Sequence, residues 1–540
     1  MNISILSTSD IQGGAAKAAF RLHKGLELTG HQSIMAVRRK KSKAPYVFEV
    51  QALAPDGASA NRFFNVVEKY AFHQNRTALS NTYFTIPYPG FDLAETEPII
   101  HSDIINLHWI AKFQSVESIS GLLKLKKPIV WTLHDENAYS GGCHYSAGCK
   151  NYEIGCTDCP QLKVNDFQLP FHVVNHKKKS WKNDIVVVTP SKWLAQCASR
   201  SQVFGESRVE VIPNSLETDI FRPLDKQKTK QKLGVPTDSL CLLFGAEYHS
   251  EKRKGYGKLK EALEICFQDP EFNRKAKQKK IWVFTFGDTQ NQSEELKLPV
   301  KTFGYVHSDE KLAEIYSAAD LYLLPSLEDN LPNTMLEAMA CGTPVVSFPV
   351  GGMPDMIKNG VTGFVAKDMS PKSLAAAMLN VLADDKNRKD MNVHCRHLIE
   401  SNYTLAHQAK NYLNLFEELC DSRSNGSDSP QFQQFRSQND RIALRNPRTR
   451  INRAFFHTYR QCALAIVKRP DYLNDQCDNG KPFQFMKRMK AIARTYALLF
   501  YSHRAGRISS ELIKFSKNNL KKIWRKYKAV ITKSKGGKTR

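Results

Sequence analysis

Short apolar runs alternate with longer amphipathic stretches along the first half of the chain. The runs are Asn2 to Ser7, Ile34 to Val37, Ile104 to Trp109, Pro128 to Leu133 and Ile185 to Thr189. Runs of this length fit strands that are buried on both faces, and the stretches between them fit helices that cross from one strand to the next. The alternation predicts an α/β fold with a parallel sheet and helical crossovers.

A second set of runs follows a link near Pro213. Strands are predicted at Leu240 to Gly245 and at Ile281 to Gly287, again with helical stretches between them. We therefore expect two parallel-sheet domains, the first over residues 1–213 and the second over residues 214–400.

One segment of the second half reads as strand, loop, helix and strand. The strands are Leu321 to Leu324 and Val345 to Phe348, and the helix starts at Asn333 and Thr334. The loop follows the carboxyl end of the first strand, where doubly wound sheets bind ligands. The free N–H groups and the positive dipole end of the helix suit a diphosphate. Glu337, one turn further in, suits ribose hydroxyls.

A glycine-rich loop lies near the start of the chain. Gly13 and Gly14 follow the first predicted strand and precede a helical stretch, Ala15 to Leu22. Glycines in such a loop let a phosphate or an acceptor approach the backbone closely. A plain turn is the alternative interpretation.

Residues 320–357, DLYLLPSLEDNLPNTMLEAMACGTPVVSFPVGGMPDMI, resemble the donor-site signature of the retaining glycosyltransferases of family 4. That family has the GT-B fold, in which two Rossmann-like domains face each other. Its pattern contains two glutamates separated by seven residues, and here Asp329 stands at the first position and Glu337 at the second. The resemblance implies that Glu337 binds the ribose of a donor nucleotide and that Asp329 or its neighbour Glu328 contacts the sugar hydroxyls. The aspartate and the absence of glycines between the two positions depart from the family's pattern.

His134 and Asp135 end the strand Val130 to Leu133, and site residues belong at such carboxyl ends. The resemblance implies that His134 lies beside the donor sugar and the acceptor, where it orients hydroxyl groups. We take His134 and Asp329 as the candidate catalytic residues. His108, which ends another strand, is a weaker candidate for lining the cleft.

Arg253 and Lys254 follow the predicted strand that ends in Gly245. Lys254 and Gly255 match the family's Lys-Gly element, which implies that Lys254 binds the donor diphosphate. The family also carries an arginine several residues earlier, and we expect Arg253 to take its place. Without the resemblance, the basic run fits a solvated surface turn.

Four of the 12 cysteines, Cys143, Cys149, Cys156 and Cys159, fall within seventeen residues. In a reducing compartment, thiols this close favour a tetrahedral zinc ion over disulfides. We expect a structural zinc site without a catalytic role, with a packed thiol loop or redox-labile disulfides as the alternatives. By resemblance, catalysis itself needs no bound metal.

The net charge of +25 is concentrated at the C-terminal end of the chain. Residues 421–540 hold 28 Lys and Arg against 7 Asp and Glu, a net charge of +21, which leaves +4 for residues 1–420. Within this tail, Phe483 to Tyr501 and Ile508 to Ile531 have the composition of basic amphipathic helices, which suit an anionic membrane surface. No nucleic-acid recognition motif accompanies the charge. A helical appendage that contacts a protein partner is the alternative.

No apolar run reaches the roughly 18 residues that a membrane span needs, and the first ten residues lack the features of a signal peptide. We expect a cytoplasmic protein, peripheral on the inner face of the cell membrane through residues 441–540. The predicted divisions are an acceptor domain over residues 1–213 with a Cys-rich insert at 143–159, a nucleotide-sugar domain over 214–400, a return helix to the first domain over 401–420, and a linker with a basic, mostly helical tail over 421–540.

The resemblance implies transfer of a sugar from a nucleotide-sugar donor to a saccharide or lipid-linked saccharide acceptor, with retention at the anomeric carbon. A subgroup of the family with a similar Cys-rich insert builds bacterial exopolysaccharide of the colanic-acid type and lipopolysaccharide. Two alternatives stay open. One is a sugar-nucleotide epimerase on the same fold, and the other is a non-catalytic adaptor that binds a membrane or a nucleic acid through its tail.

Overall fold

The computed structural model describes residues 1–52, 64–65, 67–80, 82–88, 90–165, 168–181, 184–248, 251–288, 296–422 and 441–444. Two parallel sheets, one in each half of the chain, form its framework. The predicted basic helices at 483–501 and 508–531 lie outside the described residues.

The first sheet has eight parallel strands in the order β14-β3-β2-β1-β4-β5-β6-β7. Its strands are β1 (Asn2–Ser9), β2 (Gln32–Arg39), β3 (Val47–Ala52), β4 (Ile104–Leu107), β5 (Ile129–Thr132), β6 (Ile185–Thr189), β7 (Val209–Val211) and β14 (Arg441–Leu444). All five predicted strands of this half are present, whereas β3, β7 and β14 were not predicted.

Side chains alternate between two apolar cores along these strands. Ile3 and Ile5 of β1 lie in one core, and Leu6 lies in the core on the opposite face. Successive side chains of a strand point to opposite faces, so a strand covered by helices on both sides is apolar throughout. This explains why β1 buries all eight of its residues.

The second sheet has six parallel strands in the order β10-β9-β8-β11-β12-β13. Its strands are β8 (Leu240–Tyr248), β9 (Ile281–Asp288), β10 (Val300–Thr302), β11 (Leu321–Leu324), β12 (Val345–Ser347) and β13 (Gly363–Val365). Buried apolar clusters cover both of its faces. The predicted two-domain α/β architecture is therefore present.

Helices connect the strands and cover the sheets. They are α1 (Gly14–Leu28), α2 (Glu97–Ile100), α3 (Val116–Leu123), α4 (Leu169–Trp181), α5 (Lys192–Arg200), α6 (Lys226–Lys232), α7 (Tyr256–Cys266), α8 (Pro270–Lys277), α9 (Asp309–Ala318), α10 (Asn333–Ala340), α11 (Met353–Met356), α12 (Pro371–Leu382), α13 (Asp385–Asn402) and α14 (Leu405–Asp421). Within the part of the chain that the structure describes, none of the helices is both long enough and apolar enough to cross a bilayer.

The final helix, α14, follows the second domain in sequence but packs on the first. Ala409, Tyr412 and Phe416 are fully buried in the same core as Ile3 and Ile5 of β1. The Tyr412 hydroxyl also lies 2.9 Å from the Thr132 hydroxyl at the end of β5. The helix thus ties the two domains together.

A short strand beyond this helix extends the first sheet. β14 pairs with β3 in parallel, and Ile442 packs half-buried against the sheet. The strand lies at the start of the segment that the sequence analysis assigned to the basic tail. Four residues are too short for a local pattern to reveal a strand whose partner is far away in sequence.

Candidate functional site

The strand order of each sheet reverses at one point, called the switch point. Four of the candidate site residues follow the strands on either side of it. In the first sheet, β1 and β4 are neighbours, and they lead to Gly13 and to His108. In the second sheet, β8 and β11 are neighbours, and they lead to Lys254 and Asp329. The crevice outside such a switch point is where open parallel sheets bind ligands.

Asp329 forms the centre of a charged cluster after β11. Its Oδ2 lies 2.6 Å from Lys254 Nζ and 3.5 Å from Arg253 Nη1. Arg253 also donates to the carbonyl of Glu328 at 3.2 Å and pairs with Glu251 at 2.7 Å. Two partly exposed cations therefore face the buried Asp329 and the partly exposed Glu251.

The two cations control the ionisation of Asp329. Burial alone raises the pKa of this carboxyl, but Lys254 and Arg253 outweigh burial and hold the pKa below its ordinary value. Asp329 is therefore ionised at neutral pH. An anionic ligand that binds the cations would release the carboxylate to accept hydrogen bonds from neighbouring hydroxyl groups.

Close backbone approach explains the glycines around this cluster. A Cβ on Gly255 would stand 1.8 Å from the Pro325 carbonyl oxygen, and a Cβ on Gly351 would stand 2.0 Å from the Asp329 carbonyl oxygen. Both glycines also have positive φ angles, of 73° and 56°. Gly351 therefore allows the backbone behind the loop to pack closely against Asp329.

Glu337 lies on α10 and is buried between the two domains. Its Oε1 accepts from Arg21 Nη2 of α1 at 3.0 Å, and its Oε2 accepts from the Tyr316 hydroxyl at 3.2 Å. Arg21 Nε also donates to Glu217 at 2.8 Å. An ionised carboxylate has about four acceptor positions, so Glu337 keeps capacity for the two hydroxyls of a ribose.

The glycine loop of the first domain meets the helix start of the second. Asn333 Nδ2 donates to the Gly14 carbonyl at 2.9 Å, while Asn214 Nδ2 lies 3.3 Å from Asn333 Oδ1. Gly13 has a φ of 93°, and a Cβ there would meet no atom within 4 Å. Within the described part of the chain, Thr334, the second residue of α10, does not share this contact.

His134 stands at the end of β5 and stacks on His108, with ring centroids 5.2 Å apart. Its backbone carbonyl accepts from Asn330 Nδ2 of the second domain at 3.2 Å. The same Asn330 side chain accepts from the Ser191 hydroxyl at 2.6 Å. The catalytic candidates of the two domains, His134 and Asp329, are therefore joined through the residue that follows Asp329.

The Cys-rich insert adds a tyrosine to the charged cluster. Arg253 lies over the ring of Tyr145, 4.7 Å from its centroid, and the Tyr145 hydroxyl lies 3.5 Å from Asp329 Oδ1. A hydrogen bond of 2.6 Å between His144 Nδ1 and Asp135 Oδ2 fixes the start of the insert. The insert thus forms one wall of the site.

The four thiols of the insert are free and lie near each other in the loop. Burial and the neighbouring thiols raise the pKa of Cys156 to about 12, and burial raises that of Cys159 to about 11. Among the described residues, no three His, Cys, Asp or Glu side chains are grouped so that they could hold a metal ion. This arrangement does not fit the predicted zinc site, which stays a prediction from cysteine spacing.

Sequence reasoning missed three buried side chains of the site. They are Arg21, Glu136 and Tyr145. Arg21 occurs in an amphipathic helix, where an arginine normally faces water, and its partners come from other parts of the chain. Only Glu136 carried a local signal, because it follows directly after the predicted site residues His134 and Asp135.

The second half of the chain has a recognisable family pattern. Residues 225–396 match the family model for glycosyl transferases group 1. These residues form a group 1 glycosyltransferase domain. It contains Arg253, Lys254, Asp329 and Glu337, so the charged cluster and the ribose candidate both belong to the glycosyltransferase domain.

Curated relatives match about a third to two fifths of the chain. D-inositol 3-phosphate glycosyltransferase of Geodermatophilus obscurus is 32% identical over 189 residues, which cover 33% of this chain and 40% of the relative. The protein of the same description from Mycolicibacterium smegmatis is 26% identical over 225 residues, which cover 41% and 48%. The chain thus spans less than half the length of these relatives.

Solved structures resemble most of the chain. HepE of Anabaena, in complex with UDP and glucose, has a TM-score of 0.50 at 16% identity, covering 77% of this chain and 99% of HepE. Sucrose-phosphate synthase of Thermosynechococcus elongatus has a TM-score of 0.53 at 17% identity, covering 78% and 99%. The fold is therefore GT-B, as the resemblance to family 4 predicted.

Proposed function

We propose that the protein is a retaining, nucleotide-sugar-dependent glycosyltransferase whose acceptor is a saccharide or a lipid-linked saccharide. The observation that carries the proposal is the meeting of both domains at the carboxyl ends of their parallel strands. The first domain brings Gly14 and His134 there, and the group 1 domain brings Lys254, Asp329 and Asn333. This combination of cations, carboxylates and an imidazole in one crevice suits a sugar diphosphate.

In the proposed complex, Lys254 and Arg253 bind the donor diphosphate instead of Asp329. Negative charge accumulates on the leaving diphosphate as the glycosidic bond breaks, and buried cations stabilise that charge. Asp329, together with the nearby Glu328, then accepts hydrogen bonds from the sugar hydroxyls. Glu337 holds the ribose, because its remaining acceptor positions match a pair of vicinal hydroxyls.

The acceptor hydroxyl attacks from the same face that the diphosphate leaves, beside His134. The new glycosidic bond forms as the bond to the diphosphate oxygen breaks, and the proton of the hydroxyl passes to that departing oxygen. Retention of anomeric configuration follows from this front-face geometry. The contacts of Asn330 and Asn333 with the first domain support a closed cleft, which limits attack by water.

The biological setting is proposed on two observations. The Cys-rich insert reaches Asp329 through Tyr145, and the resemblance associates such inserts with bacterial exopolysaccharide and lipopolysaccharide assembly. The net charge of +21 on residues 421–540 supports a cytoplasmic enzyme that lies on an anionic membrane surface, where lipid-linked acceptors are found.

A thermal-shift screen against UDP-, GDP-, ADP- and dTDP-sugars tests the proposal, starting with UDP-glucose because a HepE structure contains it. We expect a selective rise in Tm that Glu337→Ala and Lys254→Ala abolish. Lys258→Ala is the matched control, because Lys258 lies on α7, four residues after Lys254, and its ion pair within the described part of the chain is with the exposed Glu261.

Donor turnover then separates the alternatives. A transferase joins the sugar to an added acceptor with retained configuration, whereas an epimerase changes the configuration of the nucleotide sugar without an acceptor. No shift with any nucleotide sugar would contradict both enzyme proposals and leave the adaptor interpretation.

A further inference from the structure

A chain of hydrogen bonds runs from the buried Asn106, in the middle of the first sheet, through the buried His108 to His134. His134 Nε2 lies 2.9 Å from His108 Nδ1, and His108 Nε2 lies 2.8 Å from Asn106 Oδ1. Asn106 is fully buried and His108 is 2% exposed, whereas His134 is partly exposed. The chain therefore connects the core of the sheet with the site.

The orientation of the Asn106 amide is fixed by its other contacts. Its Nδ2 lies 3.0 Å from the Val130 carbonyl oxygen and 3.1 Å from the Thr132 hydroxyl. A carbonyl oxygen only accepts hydrogen bonds, so the Asn106 nitrogen must point toward Val130. The Asn106 oxygen therefore points toward His108 and must accept a hydrogen bond from it.

This orientation determines the proton positions on both rings. Because Asn106 Oδ1 accepts, His108 must carry its proton on Nε2, and a neutral His108 then presents Nδ1 as an acceptor. His134 must therefore donate from its own Nε2. That leaves His134 Nδ1 without a proton, and it has no hydrogen-bond partner among the residues that the structure describes.

Burial keeps both rings neutral, as this arrangement requires. It places the pKa of His108 well below the ordinary value, and the neighbouring His134 lowers it further. Burial also lowers the pKa of His134 to about 4, against the opposite effect of Asp135. A second proton on His108 would remove the acceptor that His134 faces.

We propose that Asn106 and His108 are positioning residues that hold His134 with its proton on Nε2, so that Nδ1 accepts a hydrogen bond from a substrate hydroxyl. The inference rests on the proposed glycosyl transfer and specifies how its imidazole acts. His134 then orients a hydroxyl of the donor sugar or of the acceptor by accepting its hydrogen bond. Fixing the ring before substrate binds lowers the cost of reaching the reactive geometry.

A matched pair of substitutions at His108 tests this role. The Oδ1 atom of asparagine is attached to Cγ, as the Nδ1 atom of histidine is. His108→Asn can therefore keep an acceptor in the position that His134 faces. A glutamine amide reaches the position of Nε2, so His108→Gln keeps the contact with Asn106 and loses the acceptor. Both variants are polar, neutral and buried, which makes one the control for the other.

We expect His108→Gln to lower kcat by about 10²-fold with little change in the KM for the donor, and His108→Asn to restore kcat to within about 10-fold of wild type. The donor-induced rise in Tm should persist in both variants. Equal kcat values in the two variants, or a loss expressed only in KM, would overturn the proposal.

A spectroscopic measurement keeps the test independent of activity. Long-range ¹H–¹⁵N spectra of the full chain with ¹⁵N-labelled histidine report which ring nitrogen carries a proton. We expect His134, assigned through His134→Gln, to be protonated on Nε2 in wild type and in His108→Asn. Protonation of Nδ1 in wild type would overturn the proposal even if no nucleotide sugar binds. Failure of the proposed function alone would instead remove the thermal shift and leave the spectrum as expected.

Discussion

Replacement of Glu136 by glutamine should reduce the loss of folding stability that accompanies rising pH. The carboxyl group is 1% exposed and lies beside the site, where Oε2 accepts from the Ser146 amide at 2.6 Å. The pKa of Glu136 is raised to about 8, mainly by burial, with the Ser146 amide acting against the rise and the nearby Glu328 adding to it. Glu136 is thus held as a neutral acid that ionises only at the cost of folding free energy.

The size of the effect follows from the difference between the folded and unfolded pKa values. Between the ordinary value of 4.5 and about 8, the folded protein binds one proton at Glu136 that the unfolded chain has lost. Stability therefore falls as pH rises through this window, by about 1.4 kcal/mol for each pH unit. From pH 5.5 to 7.5 the loss is about 2.7 kcal/mol, or roughly 5 to 10 °C in Tm for a domain of this size.

Thermal unfolding of wild type and Glu136→Gln at pH 5.5, 6.5 and 7.5 measures this loss. Other groups titrate equally in both proteins, so the difference between the two Tm values isolates Glu136. We expect the Tm of the variant minus the Tm of wild type to increase by roughly 5 to 10 °C between pH 5.5 and pH 7.5. A difference in Tm that stays constant across the series would refute the reasoning.

Three further predictions follow from the contacts of the site. Arg21→Ala leaves the buried Glu337 without its cation and leaves Glu217 with Lys24 alone, so it should cost about 3 to 5 kcal/mol in urea unfolding. The partly exposed ion pair lost in Lys17→Ala should cost at most about 1 kcal/mol. Gly255→Ala should abolish donor binding or folding, because the added Cβ would stand 1.8 Å from a backbone carbonyl oxygen. Its control is Gly257→Ala, whose added Cβ would have no atom within 4 Å and should not lower Tm. If the predicted zinc site forms, metal analysis should find one zinc ion per chain, and Cys156→Ser should remove it. Metal-free wild type would favour the packed thiol loop.

Local patterns were sufficient for the framework of the fold. β6 and β11 have the predicted bounds, Ile185–Thr189 and Leu321–Leu324, because their apolar runs are buried on both faces and end at clear breaks. The peripheral strands β3, β7 and β14 have weaker patterns, and their pairing depends on partners distant in sequence. The sequence also indicated the donor candidates Lys254, Asp329 and Glu337, because their places after predicted strands agree with the resemblance to family 4.

Only the tertiary structure decided how those candidates are paired. Arg21 and Glu337 are separated by 316 positions, yet their side chains are 3.0 Å apart. Tyr145 reaches Arg253 only because the insert folds over the second domain. A sequence pattern records which residue types follow a strand, because strand and helix periods are local. Burial, ionisation and the tautomer of an imidazole depend on groups that the packing of two domains brings within about 3 Å of each other.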